Sequence, residues 1–192
     1  MIVGITGSIA SGKSLVTNYL LERGYQIIDS DVIAREKLQK PEVIAILEAH
    51  FGKRILVDRQ INRQVLGDII FNNEQERLYL NSIIHPLVID EIKNITKNHQ
   101  ELIFVDVPLL YEANIENMFH KVIVVYVNPE KQLKRLMKRD NIDEDKARLK
   151  IQSQWALDLK KAKADFVIDN SGRITHTQFQ VEQILRRLKN EN

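Results

Sequence analysis

Residues 2–14, IVGITGSIASGKS, constrain this chain more than any other stretch. A short apolar, β-branched run over 2–6 leads into Gly7-x-x-x-x-Gly12-Lys13-Ser14, and Leu15, Val16, Tyr19 and Leu20 follow at helical spacing. Strand, glycine loop and helix in that order spell the phosphate-binding loop of nucleoside triphosphatases and kinases. Gly7 and Gly12 permit close backbone approach, so the run Gly7, Ser8, Ile9, Ala10, Ser11 and Gly12 can wrap a phosphate chain with its N–H groups. A helix starting near Lys13 adds further N–H donors and the positive end of its dipole. Lys13 would place its ammonium against the β and γ phosphates, and the Ser14 hydroxyl is a hard oxygen ligand suited to Mg²⁺.

The rest of the composition narrows the class. A chain of 192 residues can bury one substantial core with a small appended lobe. A net charge of +2 offers no polybasic field, so neither nucleic acid nor a membrane is expected as a partner. With no cysteine, disulfides, thiolate catalysis and thiolate zinc sites are excluded. No apolar run reaches membrane-spanning length and the first residues read as a strand, which predicts a cytoplasmic protein, with a monomer favoured.

Along the chain, Gly24 stands where the first helix should be capped, and the strand over 25–28 ends in Asp29-Ser30-Asp31. In an open α/β sheet ligands gather beyond the carboxyl ends of the strands, which makes both aspartates candidates for chemistry; an N-cap accounts adequately for one of the two, and Asp31 is the one singled out for chemistry. Residues 32–100 read as helices without a buried strand, and Pro86 suits a fresh first turn better than a helix interior. The apolar run 102–107 carries Asp106 near its end, as a carboxylate assisting Mg²⁺ or its water would be carried. Strands over 122–127 and 166–168 follow, Asn128-Pro129 opens a helix, and Thr175-x-x-Gln178 has the pattern of a capping box. Between those last strands lies a basic segment including Arg135 and Arg139, placed where a flap could close over a nucleotide; Arg139, at an expected helix end, is the first choice for a cation on the transferring phosphoryl group.

These signals predict a three-layer α/β phosphate-loop kinase fold: a five-stranded parallel sheet flanked by helices, formed by residues 1–31, 101–133 and 164–192. Residues 32–100 are the expected helical acceptor-binding insert, and 134–163 a helical lid. A regulatory GTPase would carry an Asn-Lys-x-Asp guanine-reading motif, which the sequence lacks, and a nucleic-acid-driven motor would carry a basic track. A small-molecule kinase needs only a core, an insert and a lid.

The sequence further resembles the dephospho-CoA kinase family along nearly its whole length. The resemblance is carried by GITGSIASGKS, IIDSDVIAR over 27–35, HFG at 50–52, INR at 61–63, LNSIIHP at 80–86, VPLLYE at 107–112, RLMKRDN at 135–141 and ADFVIDNSG at 164–172. It implies transfer of the ATP γ-phosphoryl group to the 3′-hydroxyl of dephospho-CoA. It implies Asp31 as the base meeting that hydroxyl, Lys13 and Arg139 as catalytic groups and Arg135 as a nucleotide contact. Ser14 would hold Mg²⁺, with Asp29 or Asp106 assisting through water. His50, Arg63, His85 and Glu112 become candidate acceptor contacts, although each has a structural alternative: a helix-end hydrogen bond for the histidines, a cap for Glu112, a solvated turn for Arg63. Two departures stand out. Ala10 replaces a glycine common in the loop, at a cost of roughly 1 kcal/mol or more if its backbone is left-handed. Past Gln154 the chain has Trp155, Leu157, Leu159 and Lys160 where the family often has Arg or Gln followed by Glu-Arg, leaving Lys160 as a candidate replacement cation.

Overall fold

The opening strand forms as its composition requires: β1 (Ile2–Gly7) is fully buried at Val3 and Ile5 in a computed structural model that describes residues 1–97 and 101–191. The chain falls into two units, one of Met1–Ile28 with Asn98–Asn192 and one of Asp29–Lys97. The last residues of the expected insert, 98–100, lie outside the described residues, as does 192.

In chain order, β1 is followed by α1 (Lys13–Glu22) and β2 (Ile27–Asp29). Then come α2 (Ser30–Leu38), α3 (Pro41–Phe51), the short strands β3 (Leu56–Val57) and β4 (Gln60–Ile61), α4 (Arg63–Asn72) and the long α5 (Glu74–Thr96). The chain continues through β5 (Ile103–Asp106), β6 (Lys121–Tyr126), α6 (Pro129–Asp140), α7 (Glu144–Gln152), α8 (Leu157–Lys163), β7 (Phe166–Asp169) and α9 (Ile174–Asn190).

Five strands form a parallel sheet in the order β2-β5-β1-β6-β7. β1 is its middle strand, pairing Ile2–Ile103 on one side and Val3–Lys121 on the other. Because a strand's side chains alternate between faces, Val3 and Ile5 join a cluster with Val16 and Leu20 of α1 and Val181, Ile184, Leu185 and Leu188 of α9. On the opposite face Gly4 lies so close to Leu110 and Phe119 that a Cβ there would sit 2.8 Å from Leu110 Cδ1. The chain lays β2 and β5 on one side of β1 before crossing to β6 and β7 on the other, which makes the carboxyl end of β1 the switch point of the sheet, the place where α/β folds bind ligands.

α1 stops where expected: Gly24 adopts φ 82°, and the N–H of Tyr25 returns to the carbonyl of Leu20. α9 starts differently from its sequence pattern. Its N-cap is Arg173, whose carbonyl accepts the N–H groups of His176 and Thr177, and no side chain caps it, so the box at Thr175 and Gln178 does not form. The reason is tertiary: Thr177 Oγ1 donates to buried Asn170 at 3.0 Å, and this bond sets the helix's phase.

The second unit is built on α5, whose buried Leu80, Ile84, Val88 and Ile92 recur every four residues and face α2 and α4. Two expectations are corrected there. Pro86 lies inside α5 rather than at a new start, because the apolar stripe runs unbroken across it and burial on both sides outweighs the hydrogen bond that proline cannot make. Residues 56–61 form a two-stranded hairpin where only helices were expected. Its turn residues Asp58 and Arg59 both take positive φ (50° and 63°), the geometry of a two-residue hairpin turn, without the Asn-Gly or Asp-Gly pair that normally signals one.

Replacing exposed Pro86 by alanine restores a backbone donor inside α5. Pro86→Ala is therefore expected to raise the unfolding free energy by about 1–2 kcal/mol, less than the full proline penalty because the unfolded chain also gains freedom; urea denaturation followed by circular dichroism checks it, and an unchanged midpoint would mean that the helix has absorbed the proline at no cost.

Candidate active site

The glycine loop leaves β1 at Gly7 and enters α1 at Lys13. Gly12, the N-cap of that helix, has φ 87° and no side chain with which to cap it, which leaves the helix N-terminus open to an anion. Glycine is doubly required at this point: beyond the positive φ, a Cβ would lie 2.0 Å from Asn170 Nδ2. Asn170, itself buried, donates from Nδ2 to Ser11 O at 2.9 Å and receives the Thr177 hydroxyl, so the turn after β7 holds the far end of the loop.

The near end is held by two glutamines. Gln154 Oε1 accepts from Ser8 Oγ (2.9 Å) and from the Ile9 N–H (2.8 Å). Gln132 Nε2 donates to Ser8 Oγ (3.0 Å) and Ile9 O (2.8 Å). Between these anchors Ala10 takes φ 59°, the left-handed conformation that costs an alanine about 1–2 kcal/mol.

Charge is arranged around the helix start. The Lys13 ammonium makes an ion pair with Asp106, the buried carboxylate at the end of β5, so the adjacent strand fixes both groups. Arg135 donates from Nη2 to Asn170 O at 3.0 Å, and its Nη1 would lie 3.6 Å from a Cβ at Gly12, which puts its guanidinium beside the loop. Arg139, one turn further along α6, bonds to neighbouring Asp140 at 2.8 Å and is mostly exposed. Hydrogen bonds from Arg139 and then Lys150 hold the Asp140 carboxyl at about 2.

Glu112 is engaged inside the same unit. Its Oε1 lies 2.8 Å from the ammonium of Lys160 and accepts the Trp155 N–H at 2.9 Å. Lys160 is completely buried, so the cation left open by the sequence is an interior one.

The remaining candidates belong to the second unit. Asp29 is the N-cap of α2, accepting the N–H groups of Asp31 (2.8 Å) and Val32 (3.2 Å) on Oδ1, so the capping explanation applies to Asp29; Asp31 stands exposed in the first turn. His50 Nε2 lies 2.6 Å from Glu76 Oε2, and its ring stacks on Tyr79 at 3.7 Å between centroids. Arg63 is the first residue of α4, following the Asn62 cap, rather than a turn residue, and it is exposed. His85 lies within α5 and is half-buried, and that burial lowers its pKa.

The family model for dephospho-CoA kinase matches residues 1–176. The chain belongs to the dephospho-CoA kinase family. Among curated dephospho-CoA kinases, that of Carboxydothermus hydrogenoformans is 45% identical over 195 residues, covering 98% of this chain and 94% of the relative. That of Listeria innocua is 41% identical over 194 residues, covering 98% and 97%. The solved dephospho-CoA kinase from Campylobacter jejuni superposes with a TM-score of 0.75 at 31% identity, covering all of this chain and 98% of the other.

Within this dephospho-CoA kinase family member, the residues that sequence reasoning missed are those that hold the loop. Asn170 lay in a resemblance block, ADFVIDNSG, without a role of its own, Gln154 marked only the edge of a divergent segment, and Gln132 carried no sequence signal at all. For metal, no group of three or more His, Cys, Asp or Glu side chains converges among the described residues. A hydroxyl at Ser14 with a carboxylate at Asp106 is nonetheless a donor set that fits Mg²⁺, which takes few protein ligands and fills its octahedron with phosphate oxygens and water.

Ala10→Gly removes the left-handed strain while giving the unfolded chain about 0.4–1 kcal/mol of extra entropy. The expected net effect is a gain of up to about 1 kcal/mol, read as a higher denaturation midpoint; a fall in midpoint would show that the left-handed geometry carries no strain.

Proposed function

We propose that this chain transfers the γ-phosphoryl group of ATP to the 3′-hydroxyl of dephospho-CoA, giving CoA and ADP, the last step of coenzyme A synthesis. The observation that carries the reading is a phosphate loop at the switch point of the sheet, anchored at both ends and joined to the Lys13–Asp106 pair, in a chain that matches this family from its first residue to 176. Loop amides and the N-terminus of α1 bind the phosphates, and Lys13 neutralises the charge that builds between the β and γ groups.

In this reading Asp31 orients the acceptor hydroxyl and takes its proton as the new oxygen–phosphorus bond forms and the bond to the β-phosphate oxygen breaks. Asp29, with one carboxylate oxygen committed to capping α2, sets the start of the helix that carries Asp31. Arg135, beside Gly12, is a nucleotide contact; Arg139 on the same helix is assigned the developing phosphoryl charge, which requires it to exchange Asp140 for phosphate. Residues 32–100 form the acceptor-binding part, with His50, Arg63 and His85 as its contacts, and 134–163 is the lid. Glu112 is assigned to the interior pair with Lys160 rather than to the acceptor. Ser14 and Asp106 would hold Mg²⁺, which supplies charge neutralisation of the β and γ phosphates. The protein acts on a small molecule, as a monomer in the cytoplasm.

A coupled ADP-release assay across acceptors tests the function: turnover with dephospho-CoA is expected, and turnover only with AMP, nucleosides or shikimate would overturn it. Asp31→Asn is expected to retain ATP affinity while losing at least a hundredfold in kcat, the range of general acid–base contributions; near-normal turnover would remove Asp31 from the proton transfer.

A further inference from the structure

Lys160 is a buried cation that the proposed chemistry leaves unused. Its Nζ lies 3.0 Å from Gly7 O, 3.3 Å from Pro108 O and 2.8 Å from Glu112 Oε1. An ammonium has three hydrogens and no lone pair, so these acceptors take up its entire donor capacity. They come from three places in the chain: the end of β1 where the phosphate loop begins, the exit from β5 two residues beyond Asp106, and the turn after it. The Glu112 bond to the Trp155 N–H closes the circuit back towards α8, where Lys160 resides. Pro108 O also accepts the Thr6 hydroxyl at 3.1 Å, so β1 and the β5 exit are joined twice.

Two physical consequences follow. In a trans peptide the C=O and the following N–H point in opposite directions. Drawing Gly7 O onto the ammonium therefore turns the Ser8 N–H the other way, away from the ammonium. Burial alone would drive the ammonium towards its neutral form, and Glu112 opposes that shift by hydrogen bonding and charge.

We propose that Lys160, with Glu112 as its counter-ion, is a positioning residue for phosphoryl transfer, fixing the first peptide of the phosphate loop and its register against the exit of β5, the strand that carries Asp106. The inference rests on the reading that this loop holds ATP. It separates Lys160 from the basic residues around it: Lys161 and Lys163 lie exposed on the same helix, whereas the buried Lys160 ammonium meets two carbonyls and a carboxylate.

The test uses the full chain as wild type, Lys160→Met, Glu112→Gln and the double variant. kcat, the KM for each substrate, ATP affinity by calorimetry and Tm are measured below the melting range of every variant. Lys160→Met is expected to weaken ATP binding and raise the ATP KM at least tenfold, to lower kcat, and to leave the dephospho-CoA KM within twofold. Glu112→Gln should move the same parameters in the same direction by a smaller factor, and the double variant should be no worse than Lys160→Met. Unchanged ATP parameters in folded Lys160→Met would overturn the proposal, as would a Glu112→Gln variant that raises the dephospho-CoA KM alone. If Lys160→Met does not fold, Glu112→Gln decides, and unchanged ATP affinity and kcat in it overturn the proposal. Absence of turnover in the wild type would instead defeat the functional reading, while the calorimetric arm would still decide the role of Lys160.

Discussion

A phosphate loop works only if its amides already point at the phosphates before these arrive, and a run of small residues cannot hold that shape unaided. In this protein the shape is imposed from outside. Asn170 clamps Ser11 and crowds Gly12, Gln154 and Gln132 clamp Ser8 and Ile9, and Lys160 holds Gly7. These ties come from the turn after β7 and from α6, α8 and the segment between α7 and α8, so much of the chain beyond β6 serves to fix the loop. Preorganisation of this kind removes the reorganisation that would otherwise accompany charge development in the transition state.

The same arrangement explains where strain is tolerated. Ala10 sits in a left-handed conformation between the glutamine anchors and the Asn170 anchor, so its neighbours are held whichever residue occupies that position. Strain persists where surrounding contacts over-determine the backbone, and a ligand loop is a common place for it. Pro86 is the counterpart in the second unit: a residue locally unsuited to its helix, retained because the apolar stripe on either side of it is buried.

How far the site was legible follows from the range of each interaction. The strand, loop and helix of residues 2–22 were readable because periodicity, glycine placement and the lysine–serine pair are local. The aspartates after β2 were readable as a pair with Asp31 the one singled out for chemistry, but which of the two caps the helix was not: backbone geometry at the start of α2 makes Asp29 the cap and leaves Asp31 in the first turn. Glu112 read as an acceptor contact or a cap, and Lys160 as a replacement cation, because sequence carries no sign of burial for a charged residue 48 positions from its partner. The hairpin at 56–61 escaped because its turn uses Asp and Arg where glycine or asparagine usually supplies positive φ.

The sequence by itself determined the class of fold, the position of the phosphate loop and the family, since each depends on short-range pattern or on ordered blocks of residues. Only the tertiary structure decided what holds the loop: that an asparagine from the last turn occupies the space a side chain at Gly12 would need, that two glutamines share Ser8 and Ile9, and that a lysine 153 residues away in the chain ends on the carbonyl of Gly7. The physical reason is that these are hydrogen bonds to backbone groups. Backbone groups are alike at every position, so nothing in their chemistry records which distant side chain will meet them.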